Sequence, residues 1–309
     1  MSLAHKSRLK RLKNGKRSKR FAYKKLLIFI FFLIIGCIIF LRSIHFRGFE
    51  KLSLVTQTRE GDIIVTVFDK KAEKITNIKI PGDTEVNVSS QLGTWRLKSV
   101  WQLGVHEGKT GSLLASTVIK NFKFPIQAWA ETQGMWLIGD DLLNKIKSLV
   151  IPYDTNLGIG DKLSLAIFSL TIKNFDRVEI NLADSSYLKK TKLKDGSEGY
   201  EVTEKLPQNL IVVFADSLME EKETRIVIRN ASGAKVLSSE IAKVLEVLGG
   251  KVVANIEETE DDIDCEISTK SDEIAQLISS VINCSLSNNN PEGNFDLEVK
   301  IGRKFFERF

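Results

Sequence analysis

Sixteen apolar residues stand in a row at 26–41 (LLIFIFFLIIGCIIFL), with no polar position on any helical face. A helix on a soluble surface keeps a polar stripe, and this run has none. At about 1.5 Å per residue it covers roughly 24 Å, slightly less than a hydrocarbon core. Lys24, Lys25 and Arg42 bracket it, and their long stems reach the two interfaces. The pattern predicts a single transmembrane helix over 26–42. Beyond it the chain turns to short segments. Strands are predicted at 62–69, 75–80, 125–130, 178–182 and 200–202, and helices at 97–103, 112–122, 141–150 and 162–175. A single helix over 208–220 leads onward. Residues 225–229 alternate as a strand, and Asn230-Ala231-Ser232-Gly233 reads as a turn. Leu237, Ile241, Val244, Leu245 and Leu248 then form one helical stripe that Gly249-Gly250 ends. Strands at 251–257 and 264–267 follow across the acidic turn 258–262. Ser271 caps a helix with the stripe Ile274, Leu277, Ile278 and Val281, and Leu297, Val299 and Ile301 mark a last strand.

This order predicts an α/β chain in four parts. Residues 1–25 are a tail, 26–42 the span, 50–222 a layered α/β domain, and 223–305 a small α+β domain of order β-α-β-β-α-β. Composition adds one fact to that picture. The chain of 309 residues has 45 Lys and Arg against 39 Asp and Glu, a formal +6. Yet residues 1–42 hold 12 of the bases and no acid, which leaves a body with 33 bases and 39 acids. Eleven of those bases precede residue 26. By the positive-inside rule the tail is cytoplasmic and residues 43–309 lie outside the cell membrane. A cleaved signal peptide has a short basic start and a small-x-small cut site, and Arg42-Ser43-Ile44-His45-Phe46 offers none, so the run is an uncleaved signal anchor. The tail has no aromatic residue before Phe21 for base stacking, and its expected partner is the lipid bilayer, not nucleic acid.

The run RIVIRNASGAKVLSSEIAKVLEVLGGKVV resembles the LytR C-terminal domain, over residues 224 to about 303. That module joins a strand, an Asn-x-(Ser/Thr)-Gly-like turn, a helix and a Gly-x-x-Val exit. The resemblance implies an extracytoplasmic module of bacterial envelope proteins, often placed behind a LytR–CpsA–Psr domain. Cys265 and Cys284 fall within it. In an oxidising compartment they could close a loop of about twenty residues; as free thiols they are two small buried hydrophobes. Spacing alone leaves both open.

The domain at 50–222 is similar to the LytR–CpsA–Psr catalytic domain. Asp62 opens a strand, and the strand 75–80 ends in Pro81-Gly82-Asp83-Thr84-Glu85-Val86, where the family shows Ser-Ile-Pro-Arg-Asp-Thr-x-Val. Phe124-Pro125-Ile126-Gln127-Ala128-Trp129 resembles its Ile-Pro-Ile-Asp-x-Tyr element. The resemblance implies enzymes that move glycopolymer from a polyprenyl pyrophosphate carrier to the cell wall, with carboxylates for Mg²⁺ and arginines for the pyrophosphate. A leaving pyrophosphate gathers charge that preorganised guanidinium forks stabilise. Here Gly82 stands at the family's arginine, the later arginine block has no counterpart, and 104–176 contains no arginine.

No other catalytic constellation competes. His106 is the one histidine in the body beyond the juxtamembrane His45, no Gly-x-Ser-x-Gly elbow accompanies it, and no His/Cys spacing suits zinc. Lys109-Thr110-Gly111 lacks its penicillin-binding companions, and the turn at Asn230 lacks phosphate-loop residues. The first reading is therefore a pseudoenzyme: a membrane-anchored envelope protein with a binding or scaffold role and no cofactor. Its partners would be peptidoglycan, a wall glycopolymer or another envelope protein. The alternative is an active Mg-dependent phosphotransferase, with Asp62 and Asp83 on the metal and Arg59 and Arg96 as the cations near Asp83. It requires those four side chains to converge at a lipid-sized apolar pocket.

Overall fold

A computed structural model of the chain describes residues 24–25, 27–34, 36, 50–203 and 205–309. The chain divides into a unit of residues 1–44 and a unit of residues 45–309. In the first, the described residues are helical (α1), and the apolar side chains at 27–34 are all exposed. Among the described residues no helix is long and apolar enough to cross a membrane. Most of the basic tail, and residues 26, 35 and 37–42 of the expected span, lie outside them.

The second unit holds three sheets. The first has the order β6-β1-β2-β3-β7. Its members are β1 (Lys51–Gln57), β2 (Ile63–Asp69), β3 (Lys74–Ile80), β6 (Ala128–Ala130) and β7 (Arg177–Asn181). The first three form an antiparallel meander, and β6 and β7 add in parallel at its edges. Register pairs Val55 with Val65 and Val65 with Ile78, so these three share one face. Helices α2 (Leu97–His106) and α3 (Gly111–Phe122) supply Val100, Leu114 and Val118 to the core on that side. Leu52, Phe68 and Ile75 share the opposite face, covered by Leu165 and Ala166 of α5 (Ile159–Thr171), which packs beside α4 (Leu142–Val150). Both faces of the meander thus carry close-packed side chains.

A smaller sheet of order β5-β4-β9-β8 joins β4 (Thr84–Asn87), β5 (Thr94–Arg96), β8 (Leu188–Lys192) and β9 (Glu198–Val202). The chain then runs through α6 (Gln208–Phe214) and α7 (Ser217–Glu221). The third sheet has the order β11-β10-β14-β12-β13. It contains β10 (Arg225–Ala231), β11 (Lys251–Glu257), β12 (Cys265–Thr269), β13 (Ser285–Leu286) and β14 (Leu297–Gly302). Helices α8 (Lys235–Val247) and α9 (Asp272–Ile282) pack on it, and α10 (Arg303–Arg308) ends the chain. One hydrophobic core runs from the first sheet through α6 into the third, with Phe124 stacked on Phe214 at 4.6 Å.

Several expectations need correction. The segment 208–220 is two helices, because Asp216 adopts an extended conformation, bonds to the Leu248 carbonyl and caps α7 through Leu218 N. The helix expected over 162–175 is displaced to α5, which starts where Asp161 accepts from the Gly158 N–H at 3.1 Å. Of the expected strand at 125–130 only Ala128–Ala130 is regular strand, since Pro125 has no N–H to donate and Gln127 meets Ser53 through its N–H and its side chain. Both strands expected beside the acidic turn form, β11 at the sheet edge and β12 between β14 and β13.

Candidate functional site

The residues singled out by the resemblance gather where the β1–β2 turn, the segment after β3 and the start of α2 meet. Asp62 precedes β2, and its Oδ1 accepts the Gly82 N–H at 2.9 Å. Its Oδ2 lies 2.8 Å from the Lys79 ammonium. That hydrogen bond raises the Lys79 pKa. Gly82 in turn accepts the Lys98 N–H at 2.9 Å. Thr84 closes the turn by donating to the Pro81 carbonyl from its N–H at 3.1 Å and from its hydroxyl at 2.7 Å.

Gly82 has no room for a side chain. An ideal Cβ there would lie 2.4 Å from the Gly61 carbonyl oxygen and 2.9 Å from Lys98 Cβ. The position matched to the family's arginine is therefore walled by backbone as well as empty of charge.

Asp83 meets two cations, with Lys98 Nζ at 2.6 Å and Arg96 Nη1 at 2.7 Å from the same oxygen. Lys98 and then Arg96 hold its carboxyl below the usual range. The other arm of Arg96 reaches Asp195 Oδ2 at 2.7 Å and contacts the Ser197 hydroxyl. Hydrogen bonds from the Ser197 hydroxyl and N–H, with Arg96 behind them, bring the Asp195 pKa down to about 2. Arg96 is thus a strap that ties the β4–β5 segment to the turn of the β8–β9 hairpin. Sequence reasoning found Arg96 and Asp83 but missed Lys98, Lys79, Asp195 and Ser197. The hairpin lies about a hundred positions downstream, and no local pattern links it to Arg96.

Arg59 is exposed in the β1–β2 turn and has no ion pair among the described residues. Of the four residues in the phosphotransferase alternative, only Arg96 and Asp83 are therefore in contact. Asp62 and Asp83 do not fit Mg²⁺ as a pair. Both oxygens of Asp62 already serve an N–H and an ammonium, and Asp83 faces two cations. Among the described residues no three or more carboxylate, imidazole or thiol side chains cluster for a metal.

Three clefts are formed among the described residues. One of about 510 Å³ lies between the first sheet, at Ile64, Asn77, Lys79 and Glu179, and the segment of Met135 and Ile138. A second, of about 560 Å³, follows the β8–β9 hairpin. The third, of about 400 Å³, runs between Lys109, Gln127 and Trp129 on one side and Val281 and Phe309 on the other. None of these three is lined by Asp62, Asp83, Arg59 or Arg96.

The remaining candidates have structural roles. Cys265 and Cys284 are joined as a disulfide, with Cα atoms 5.0 Å apart. Asn230 is buried, accepts the Ser232 N–H at 3.1 Å and donates to the Ala234 carbonyl, which builds the turn ahead of α8. Gly111 opens α3 against the rings of Trp101 and Trp129, where a Cβ would clash at 2.3 Å.

No family model and no curated protein matches the chain. Solved structures are similar over half of it. TagT of Bacillus subtilis matches at 14% identity and a TM-score of 0.35, over 50% of this chain and 85% of its own. TagV of the same organism gives 11% and 0.36, over 50% and 91%. A protein of Listeria innocua gives 12% and 0.36, over 50% and 92%. At such identities and scores the likeness decides nothing about what this chain does.

Proposed function

We propose that the chain is an envelope protein of the LytR–CpsA–Psr kind, anchored in the cell membrane by residues 26–41. Its body lies outside the cell and binds or organises wall material without transferring it. The motif resemblance supports the family, and the basic tail with its apolar run supports the anchor. One observation carries the non-catalytic part. The residue matched to the pyrophosphate-binding arginine is Gly82, enclosed by Gly61 and Lys98 so that no side chain can replace it without moving backbone. Without a guanidinium there, a departing diphosphate has no preorganised countercharge from that position. Three of the cations nearby are bound to carboxylates, Arg96 and Lys98 to Asp83 and Lys79 to Asp62, and the fourth, Arg59, is exposed in the β1–β2 turn.

The test uses purified full-length chain with Mg²⁺, a polyprenyl-pyrophosphate-linked glycan donor and peptidoglycan. No release of polyprenyl phosphate and retention of chain on peptidoglycan are expected. Release that is lost in Asp83→Asn would overturn the reading in favour of an active phosphotransferase.

A further inference from the structure

Helix α4 is amphipathic in the wrong sense for a soluble surface. Its sequence LLNKIKSLV buries Lys145 and Ser148, while Leu142, Leu143, Ile146 and Val150 are 56%, 66%, 49% and 75% exposed. At about 100° per residue those four aliphatic positions span one arc of roughly 100°, nearly opposite the buried pair. Specific bonds hold the helix this way round. Lys145 Nζ donates to the Leu137 carbonyl at 2.9 Å and to the Ser169 hydroxyl at 2.7 Å, and Ser148 donates to the Lys145 carbonyl. Rolling the helix over would take the Lys145 ammonium from both partners outside the helix, so the apolar arc is a built surface. Ile151 and Ile159, 43% and 80% exposed, extend it into the connection to α5.

We propose that this face of α4 lies against the outer surface of the bilayer that holds the chain, its aliphatic side chains set into the boundary between headgroups and acyl chains. The inference rests on the anchored reading above. Two observations favour lipid as the occupant. Nine residues, 42–50, join the apolar run to β1, enough chain for about 30 Å at full extension. Charge agrees as well. The helix has no acid and Lys147 is exposed beside its arc, while the two acids just before it are engaged, Asp140 with Arg177 at 2.8 Å and Asp141 as the cap that accepts the Leu143 N–H. An exposed lysine beside aliphatic side chains suits anionic headgroups, and the Lys147 stem can run along the apolar surface while its ammonium stays in water.

The test is spin-label accessibility on full-length chain in phosphatidylglycerol–phosphatidylethanolamine vesicles, in a Cys37→Ser background so that only introduced thiols react. Labels go at Leu143→Cys and Val150→Cys, with Ile34→Cys reporting the anchor and Lys190→Cys as the aqueous reference. Oxygen should dominate over a water-soluble nickel chelate at 143, 150 and 34, with the order reversed at 190. Adding Ile146→Glu should shift 143 and 150 towards the aqueous pattern and leave 34 unchanged. An aqueous pattern at 143 and 150 with lipid contact at 34 overturns the inference and leaves the anchor standing. Shielding of 143 and 150 from both reagents overturns it in favour of a protein cover such as a second copy. An aqueous pattern at 34 overturns the anchored reading and this inference with it.

Discussion

At Gly82 both the charge and the space for a guanidinium are missing. Restoring the family's arginine tests both parts. Gly82→Ala is expected to destabilise the fold by about 1–3 kcal/mol, since its Cβ must displace backbone at Gly61, and Gly82→Arg to do no better in a transfer assay; urea unfolding and polyprenyl phosphate release measure the two. Lys145 gives a second prediction at this scale. Burial brings its pKa from 10.5 down to about 8. Between those values the unfolded chain binds more protons than the folded one, so this lysine's contribution to stability rises with pH across that window. Unfolding of Lys145→Met, followed from pH 7 to 10, should lack that part of the slope. The aspartates beside Arg96 act in the other direction. With their folded pKa values depressed, their contribution is present above the usual carboxylate value near 4 and is lost as pH falls, for Asp195 through about 2.

At the level of elements, the meander β1–β3 and helices α2 and α3 place the Gly82 turn, and their hydrophobic pattern announces most of them. β2 and β3 are legible because turn residues bound each one, and α3 because its apolar stripe is long. β1 escapes, since a strand buried on both faces shows no alternation and Leu52–Thr56 is buried throughout. The helix at α4 is legible too, but the face it buries is the reverse of what its stripe implies. Lys145 goes inward because the Leu137 carbonyl and the Ser169 hydroxyl accept its bonds, and those partners come from other segments. The disulfide also belongs to this scale. It ties β12 to the end of α9 across a separation of 19 residues. Replacing both cysteines with serine should cost about 3 kcal/mol by loop-closure entropy, read as a lower urea midpoint.

In the whole molecule, the core is shared between the part that resembles the catalytic domain and the part that resembles the C-terminal module. Phe124, Phe214, Met219 and Ile226 belong to one hydrophobic cluster. Removing residues 223–309 should therefore unfold or aggregate the remainder instead of liberating a stable domain, which limited proteolysis and light scattering of a chain ending at residue 222 would show. Deleting 26–41 should release the protein from membranes on carbonate extraction, and retention would sink the anchor.

The amino-acid order alone determined the apolar run, the asymmetry of charge around it, the alternation of strands and helices, and the glycine that replaces a guanidinium. Each is a local or summed property of neighbouring residues, readable without coordinates. Tertiary structure decided the rest: that a carbonyl from Gly61 closes the space at Gly82, that Arg96 is spent on Asp83 and Asp195, that the cysteines meet, and that α4 shows its oily side outward. Those facts depend on which distant segments pack together, and packing energy is summed over contacts that no window of sequence contains.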